Sequence, residues 1–393
     1  MFKVLYTGAF RFPDGDAAAL RVYNVAKLIE GSGAKVTFAG WEGSTKREYE
    51  FDHHECFSQA EFRVGQKNKI YRLFGFLLRG HRTFRWLFNR PFDAVVLYNP
   101  PALFAASILV LSRFKGFKVL LDSTEWYESS HLPGGRFGLA ALENWCRMKV
   151  IYPLFDNVIC ISHFLEVHFS SSANTLWLPP LLPDPGLPAP RELTSLETIR
   201  FAYAGDMGLK DDLTRFVLQM DDLERLSGRR IELHIAGVDS DVFHSIFAKI
   251  TGKSLTAKNS VICYGRISRE DVLDLYDRCH FSVFFRQQQR YALAGFATKS
   301  VESLSRGCPV VTNDVGDLGS ILTSGVDAYI VQGDESLDTL GRSLASLTTE
   351  TYAAMRLSAY NLYSRQFTVA ANTGRFQVFY DGVGMNLDGG GSQ

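Results

Sequence analysis

Short apolar runs rich in β-branched residues alternate along the chain with longer amphipathic segments. The runs that we predict as strands are 2–7, 35–39, 94–98, 118–121, 157–161, 199–204, 231–236, 261–264, 281–285 and 309–312. Apolar residues at helical spacing indicate helices over 17–31, 102–114 and 137–151. Because this alternation brings strands together in parallel sheets with helices on their faces, the sequence predicts an α/β fold.

Proline divides this pattern into two parts of comparable length. Six of the 13 prolines lie between Pro179 and Pro190, where neither a helix nor a central strand can form. We expect a stiff, extended linker there. The alternation begins again beyond it, and 393 residues are enough for two or three domains. The sequence therefore predicts two Rossmann-like domains that face one another across a cleft, and a glycine-rich, disordered tail over 387–393.

The overall composition argues against several classes of protein. Hydrophobic residues make up 46% of the chain, and 42 Lys and Arg residues balance 42 Asp and Glu residues. A protein without net charge is not expected to coat nucleic acid. The sequence has no apolar run of about 18 residues, the length that crosses a bilayer, and its first residues do not resemble a signal peptide. The six cysteines show no C-x-x-C spacing, which favours reduced, buried thiols in a cytoplasmic protein.

One segment departs from the balance of charge. Residues 63–90 contain eight Lys or Arg residues and no acidic residue. If 69–88 is a helix, its apolar residues share approximately one face and its basic residues surround them. That arrangement is typical of a helix bound to an anionic membrane surface. The alternative is an ordinary helix that covers a sheet and has a solvated basic rim.

The loop after the first predicted strand is one candidate ligand site. Gly15 and Asp16 lie in it, directly before the helix predicted over 17–31. Small residues let backbone N–H groups approach an anionic ligand at a helix N-terminus. The alternative is a turn in which Asp16 only caps the helix. No G-x-G-x-x-G or Walker lysine motif indicates a dinucleotide or P-loop site.

The second part of the chain has a denser set of candidates. Glycines follow three successive predicted strands, at Gly205, Gly237 and Gly265, and Lys210 lies just beyond the first of them. These positions fall at the carboxyl edge of the predicted sheet, where open α/β sheets bind ligands.

A helix predicted over 298–307 opens from a loop of small residues. Its first amides are exposed to an anion, and Arg286, Arg290 and Lys299 add positive charge, so the segment suits a diphosphate. Glu302 lies one turn into the helix and is better suited to sugar hydroxyls than to phosphate.

Four sequence blocks resemble the retaining GT-B glycosyltransferases of family 4. They are AAALRVYN from residue 17 with the loop before it, YAGDMGLK up to residue 210, ICYGRI around residue 265 and, above all, GFATKSVESLSRGCPVV from residue 295. The last block is similar to a branch associated with bacterial surface polysaccharides. The resemblance implies a GT-B fold with an acceptor-binding domain over 1–182, a linker over 183–197 and a nucleotide-sugar-binding domain over 198–366. It also implies that a helix near 367–385 packs back on the first domain.

The same resemblance implies roles for individual residues. Glu302 would bind the donor ribose, Lys210 the diphosphate, and the backbone at 265–267 the nucleobase. Asp122 is expected on the acceptor side, with Glu125 as the second choice. The residues implied for catalysis are Lys210, Arg286 and Asp122, and those implied for donor binding are Gly15, Asp16, Gly205, Gly265, Ile267, Arg290, Gly295, Phe296, Thr298, Lys299 and Glu302.

Two positions depart from the family pattern. Ala294 stands where the family has a glutamate that contacts the transferred sugar, and Asp206 stands near the position of its diphosphate-binding arginine. Arg286 or Arg290 would then supply the missing positive charge.

The resemblance implies transfer of a sugar from a UDP- or GDP-linked donor to a lipid-linked or polysaccharide acceptor in bacterial surface-glycan synthesis. The anomeric configuration would be retained, without an essential metal. We expect a cytoplasmic enzyme held at the inner face of the plasma membrane by 63–90. Two alternatives are a nucleotide-sugar epimerase of the same fold and a non-catalytic, nucleotide-sugar-binding partner subunit. A metal site at 53–56 is not expected, because the spacing of its His, Glu and Cys residues does not place them on one helix face.

Overall fold

The computed structural model describes residues 1–12, 16–42, 47–60, 75, 78–183, 195–206, 211–253, 260–332 and 337–385. The chain divides into two units. Unit 1 comprises Met1–Pro183, Ala294–Phe296 and Val369–Gln393, and unit 2 comprises Asp184–Leu293 and Ala297–Thr368. No helix within the described ranges is long and apolar enough to cross a membrane.

Unit 1 contains a sheet of eight strands among its described residues. The strands are β1 (Phe2–Gly8), β2 (Ala34–Glu42), β3 (Arg47–Phe51), β4 (His54–Ala60), β5 (Ala94–Tyr98), β6 (Lys118–Ser123), β7 (Asn157–Cys160) and β8 (Asn174–Trp177). Their order is β3-β4-β2-β1-β5-β6-β7-β8, and all neighbours are parallel except β3 and β4.

Helices cover both faces of this sheet. They are α1 (Ala17–Gly31), α2 (His81–Phe88), α3 (Ala102–Lys115), α4 (Leu139–Cys146) and α5 (His163–Phe169). Successive strand residues point to opposite faces, so Val4 and Tyr6 of β1 belong to one core and Leu5 to the other. The buried side of α1 belongs to the first core and that of α3 to the second.

Unit 2 contains a parallel sheet of six strands among its described residues. The strands are β9 (Thr198–Ala204), β10 (Arg230–Ala236), β11 (Ser260–Cys263), β12 (Phe281–Val283), β13 (Val310–Asn313) and β14 (Ala328–Val331), in the order β11-β10-β9-β12-β13-β14.

The helices of this second half are α6 (Thr214–Leu218), α7 (Met220–Ser227), α8 (Ser240–Thr251), α9 (Arg269–Arg278), α10 (Arg290–Ala294), α11 (Thr298–Ser305), α12 (Leu318–Ile321), α13 (Asp338–Ala345) and α14 (Thr349–Gln366). The last helix of the described residues is α15 (Val369–Val383). Phe376, Phe379 and Tyr380 of α15 belong to the first core of unit 1, beside α1.

The structure confirms the α/β fold and all the predicted strands, with ends that differ by a few residues. The sequence pattern missed β3, β4, β8 and β14. Three of these strands are at the edges of their sheets, and β4 pairs with one of them. Edge strands are only partly covered, so they need no continuous apolar run, and polar residues concealed β3, β4 and β8. The short apolar run of β14 was overlooked.

Two predicted helices differ from the structure. The helix predicted over 137–151 is divided into a 3₁₀ turn at Gly135–Phe137, then α4, then a π-helical turn at Arg147–Ile151. The prediction of one continuous helix over 69–88 is wrong. Gly80 has a left-handed φ of 96°, and α2 begins only at His81. Residues 61–74, 76 and 77 lie outside the described part of the chain.

Candidate functional site

The carboxyl edge of the unit 2 sheet is formed by backbone turns at Gly205, Gly237 and Gly265, after β9, β10 and β11. The Gly205 N–H donates to the Ala236 carbonyl at 2.9 Å, and the Gly237 N–H donates to the Gly265 carbonyl at 2.7 Å. A Cβ atom on Gly237 would lie 2.6 Å from the Gly205 carbonyl oxygen, at a φ of 107°. The turns are therefore stacked closely, and this edge presents backbone instead of bulky side chains.

A buried ion cluster lies next to Gly205. Asp211 Oδ2 is 2.5 Å from Lys299 Nζ, and Asp211 Oδ1 is 2.7 Å from Arg286 Nε. The three side chains are almost fully buried. Two cations against one carboxylate give the cluster an excess of positive charge, which favours an anionic ligand.

Burial and charge act in opposite directions on these groups. Burial disfavours ionised Asp211, but Lys299 and Arg286 outweigh this effect and lower the pKa of Asp211 to about 2. Burial lowers the pKa of Lys299 to about 8, against the opposing effect of Asp211. Lys299 is therefore charged at neutral pH, and it loses its proton at a pH only slightly above neutral.

The aromatic side chain of Tyr203 holds the Asp211–Lys299–Arg286 cluster in place. The Tyr203 hydroxyl lies 2.9 Å from Asp211 Oδ2 and 3.0 Å from the Asp206 carbonyl oxygen, either of which can accept its proton. Lys299 Nζ lies 3.9 Å from the centre of the Tyr203 ring, a favourable cation–π contact. Burial, with Asp211 adding to it, raises the pKa of Tyr203, so this hydroxyl stays protonated and donates.

The loop after β12 is fixed by Asn313 at the end of β13. The Arg286 N–H donates to Asn313 Oδ1 at 2.9 Å, and Asn313 Nδ2 donates to the Arg286 carbonyl at 2.8 Å. This pair of hydrogen bonds fixes the backbone of Arg286. Asp211 then orients the guanidinium of Arg286.

Glu302 lies on the same helix as Lys299, three residues further on. Its Oε1 is 3.1 Å from Arg269 Nε at the start of α9. Burial raises the pKa of Glu302, against the opposing effect of Arg269. Glu302 is largely buried in this structure, and Arg269 contacts only one of its two carboxylate oxygens in the described part of the chain. The other oxygen can accept hydrogen bonds from a ligand.

The remaining residues predicted in unit 2 are more scattered. Thr298 is the first residue of α11, and Arg290 is exposed at the start of α10. A Cβ atom on Gly265 would lie 2.5 Å from Asp239 Oδ1, and Ile267 packs against the core beneath α9. Lys210 lies outside the described residues, as does Gly15 of unit 1.

Ala294, Gly295 and Phe296 belong to unit 1, although their neighbours in sequence belong to unit 2. Ala294 is fully buried, and Ser162 Oγ donates to its carbonyl oxygen at 3.0 Å. Phe296 packs against the same core of unit 1. The position where the resembled family has a glutamate is thus filled by a small core residue.

In unit 1, the carboxylate of Asp122 is fully buried. Arg21 reaches it with Nη2 at 2.7 Å from Oδ1 and Nε at 3.0 Å from both oxygens. The Tyr6 hydroxyl donates to Oδ2 at 2.6 Å, and Arg21 Nη1 also donates to the Leu178 carbonyl at 3.0 Å. The structure thus gives Asp122 a role in joining α1, β1 and β6, while its catalytic role stays a prediction. Glu125, the second choice, is partly buried.

Asp16 caps α1, as the alternative interpretation of its loop proposed. Its Oδ1 accepts from the Ala19 N–H at 2.9 Å. The predicted contact of Asp16 with a diphosphate stays a prediction.

The described part of the basic segment is a helix that covers the sheet. Thr83 and Leu87 of α2 are buried, and the Thr83 hydroxyl accepts from Trp41 Nε1 at 2.9 Å. Phe84 and Trp86 pack against the second core of unit 1. The apolar side of α2 is therefore largely occupied by the protein itself, as in the alternative interpretation of this segment.

Sequence reasoning assigned no role to Tyr203, Asp211, Asn313 or Arg269. Asp211 follows Lys210 directly, so its position in the motif was a signal that could have been used. Asn313 and Arg269 have no local signal, since each acts on a residue distant in sequence. Tyr203 begins the YAGDMGLK block and bonds Asp211 only eight residues further on, so its position was also a usable signal.

Comparisons with known proteins give a family match for part of the chain. The family described as "Glycosyl transferases group 1" matches residues 191–362, which cover most of unit 2. No curated protein sequence gives a significant match.

Many solved structures share the fold. Sucrose-phosphate synthase from Thermosynechococcus elongatus is 15% identical, with a TM-score of 0.72 over 98% of this chain and 99% of its own. WaaG, a glycosyltransferase involved in lipopolysaccharide biosynthesis, is 14% identical, with a TM-score of 0.64 over 96% of this chain and 99% of its own. HepE of Anabaena in complex with UDP-glucose is 12% identical, with a TM-score of 0.62 over 97% of this chain and all of its own. The chain therefore has the GT-B fold, with two Rossmann-like domains.

Proposed function

We propose that the protein is a retaining glycosyltransferase that moves a sugar from a nucleotide-sugar donor to a lipid-linked or polysaccharide acceptor in bacterial surface-glycan synthesis. The observation that carries this proposal is the Asp211–Lys299–Arg286 cluster beside the glycine edge of unit 2. It lies in the part of the chain that matches the glycosyl transferases. The structure of HepE with UDP-glucose supports a nucleotide-sugar donor. The structure of WaaG, a glycosyltransferase involved in lipopolysaccharide biosynthesis, supports an acceptor in surface-glycan synthesis.

The cluster suits a donor diphosphate. Arg286 contacts Asp211 through Nε, so its two outer nitrogens would bind phosphate oxygens, and Lys299 would bind a further oxygen. Glu302 would accept hydrogen bonds from the ribose hydroxyls through the oxygen that Arg269 does not contact. Lys210 would add charge from the loop after β9.

The reaction we propose needs no protein nucleophile. The bond between the sugar C1 and the β-phosphate oxygen breaks, and the acceptor oxygen bonds to C1 on the same face. The acceptor proton passes to the leaving β-phosphate oxygen. Lys210, Arg286 and Lys299 stabilise the negative charge that grows on the diphosphate. We propose that this chemistry proceeds without an essential metal, so activity should survive a chelator.

Two alternatives use the same fold. A nucleotide-sugar epimerase would isomerise the donor without an acceptor, and a partner subunit would bind the donor without turnover. Ala294 and Asp206, which depart from the family pattern, are the residues that favour the second alternative. We prefer the transferase because the matching family and WaaG, which shares the fold, are glycosyltransferases.

Calorimetric titration with a panel of UDP- and GDP-sugars tests the donor site. Glu302→Ala should bind the donor about 2 kcal/mol more weakly, the effect of losing a charged hydrogen-bonding group. The matched control is Asp241→Ala, an exposed carboxylate on α8. Equal donor affinity in wild type and a folded Glu302→Ala variant would remove Glu302 from the site.

We further propose that the enzyme works at the cytoplasmic face of the plasma membrane. The basic residues of 63–90 support this proposal through their charge, whereas the buried side of α2 does not supply the apolar contact expected from the sequence.

A further inference from the structure

Asp239 occupies the N-cap position of α8, two residues beyond Gly237 in the turn after β10. An aspartate at this position normally accepts a hydrogen bond from an amide in the first turn of its helix. The Asp239 side chain makes no such bond. Its Oδ1 lies instead against Gly265, 2.5 Å from the position that a Cβ atom on Gly265 would take. The exposed carboxylate is therefore directed to the neighbouring turn of the sheet edge and not to its own helix.

The Asp239 carboxylate is available to a ligand. Within the described part of the chain it forms no hydrogen bond or ion pair. Gly265 has a left-handed φ of 66° and no side chain, and both properties leave room for the carboxylate at this place. A residue that departs from a local rule without a compensating contact in the protein is expected at a functional site.

The groups of the proposed donor site follow the order of the parts of a nucleotide. Lys299 Nζ lies 2.9 Å from the position that a Cβ atom on Gly205 would take, so the ion cluster adjoins the turn after β9. Glu302, one turn further along α11, bonds Arg269, which lies four residues beyond Gly265. Strand β11 is two strands away from β9, a distance of about 10 Å. A diphosphate at the cluster and a ribose at Glu302 therefore direct the nucleobase to the turns after β10 and β11.

We propose that Asp239 recognises guanine, so that the sugar donor is a GDP-sugar. Guanine presents two adjacent donors, the N1–H and the 2-amino group, and they match the two oxygens of a carboxylate. An ionised carboxylate only accepts hydrogen bonds, and two parallel bonds to it are both strong and specific. The inference rests on the proposed function, because it names the base of the donor that the same site would bind.

The other common bases lack this pair of donors. Uracil presents one N–H between two carbonyl oxygens, while adenine and cytosine present an amino group beside a ring nitrogen that accepts. Each of them would place an acceptor against a carboxylate oxygen, and this repulsion selects against them. The UDP-glucose bound to HepE leaves the base of this chain's donor open, because an identity of 12% shows the fold alone.

Calorimetric titration of the full chain with nucleoside diphosphates tests the proposal without an acceptor or turnover. GDP, UDP and inosine diphosphate share the diphosphate and the ribose and differ only in the base. Wild type should bind GDP roughly 10- to 100-fold more tightly than UDP, the range that one good bidentate contact with a base supplies. Inosine diphosphate lacks only the 2-amino group of guanine, and it should bind about tenfold more weakly than GDP.

Asp239→Asn replaces one of the two acceptors with an amide donor. The variant should lose the preference for GDP over UDP and should prefer xanthosine diphosphate, whose N1–H and C2 carbonyl match an amide. A residue with a merely structural role would not exchange one base for another. The matched control is Asp241→Asn, an exposed carboxylate in the first turn of α8, which should keep the wild-type order of affinities. Both variants should keep the wild-type unfolding temperature.

The outcomes separate this inference from the proposed function. If wild type binds UDP as tightly as GDP, or prefers another base, the inference is overturned and a nucleotide-sugar donor still stands. Equal affinity for GDP and inosine diphosphate also overturns it, and that comparison needs no variant. An Asp239→Asn variant that still prefers GDP removes Asp239 from base recognition. If wild type binds no nucleoside diphosphate, the proposed donor site fails together with the inference.

Discussion

A single buried carboxylate organises the candidate site at the scale of residues. Asp211 bonds Lys299 and Arg286, which are 88 and 75 residues away in sequence. Without Asp211, the two cations would repel each other in a site that excludes most water. Asp211 therefore positions the groups that we propose to bind the diphosphate, and it need not touch the donor itself.

The first prediction concerns the pH dependence of donor binding. The pKa of Lys299 is lowered to about 8, so its charge is present at neutral pH and is lost as the pH rises through 8. The donor KM should therefore rise several-fold between neutral pH and about pH 9. Lys299→Arg should remove this rise, because arginine stays charged. Steady-state kinetics over this range provide the measurement.

Asp211→Asn provides the matching variant. It removes the negative charge that opposes the effect of burial on Lys299, so the rise in KM should begin at lower pH. A flat KM profile in wild type would mean that the Lys299 charge does not contribute to donor binding.

The second prediction concerns Lys210. The diphosphate gains negative charge as it leaves, so a cation beside it contributes more in the transition state than in the ground state. Lys210→Ala should lower kcat by more than it raises the donor KM. An effect on KM alone would make Lys210 a binding residue only.

The sequence revealed those site residues that share one short motif. Lys299 and Glu302 were predicted because they lie together in GFATKSVE, on one helix. Asn313 and Arg269 were not predicted, because their partners Arg286 and Glu302 are distant in sequence. Such pairs depend on how the chain folds, which a local pattern does not contain.

At the scale of elements, the Arg21–Asp122 ion pair joins α1 to the centre of the unit 1 sheet. Arg21 also holds the backbone at Leu178, just before the proline-rich segment. Burying both charges is acceptable only because each is paired and hydrogen-bonded.

The third prediction follows from this pair. Asp122→Asn should lower the free energy of unfolding by about 3 kcal/mol, since it leaves the buried Arg21 charge without its partner. Urea unfolding measures this effect. The control is Asp156→Asn, an exposed carboxylate before β7, which should change stability little. Normal stability with lost activity in Asp122→Asn would instead support the catalytic role that the resemblance implied.

The elements themselves were predictable to different degrees. Central strands such as β5 have uninterrupted apolar sequences and were found with correct ends. The hairpin of β3 and β4 was not found, because its turn relies on left-handed φ angles at Asp52 and His53 instead of glycine. The end of the helix considered over 69–88 was found, but Gly80 interrupts it, so α2 begins only at His81. The first residues of that helix lie outside the described part of the chain.

At the scale of the whole molecule, the alternation of strands and helices on both sides of the proline-rich segment was enough to predict two Rossmann-like domains. The chain also returns to unit 1 at Ala294–Phe296 and at Val369–Gln393. The short return at Ala294–Phe296 could not be predicted from the sequence, because it follows no turn or linker signal. The proposed donor site lies in unit 2, and the basic residues of 63–90 lie in unit 1.

Transfer of isotope-labelled sugar from a nucleotide-sugar donor tests the central claim most directly. The purified protein is incubated with donor labelled at C1, with and without bacterial membrane extract, and the products are followed by NMR. We predict an extract-dependent glycoside with the same anomeric configuration as the donor, and much less product from the Glu302→Ala variant at the same donor concentration. Inversion at C1, isomerised donor in the absence of extract, or bound but unreacted donor would contradict a retaining glycosyltransferase.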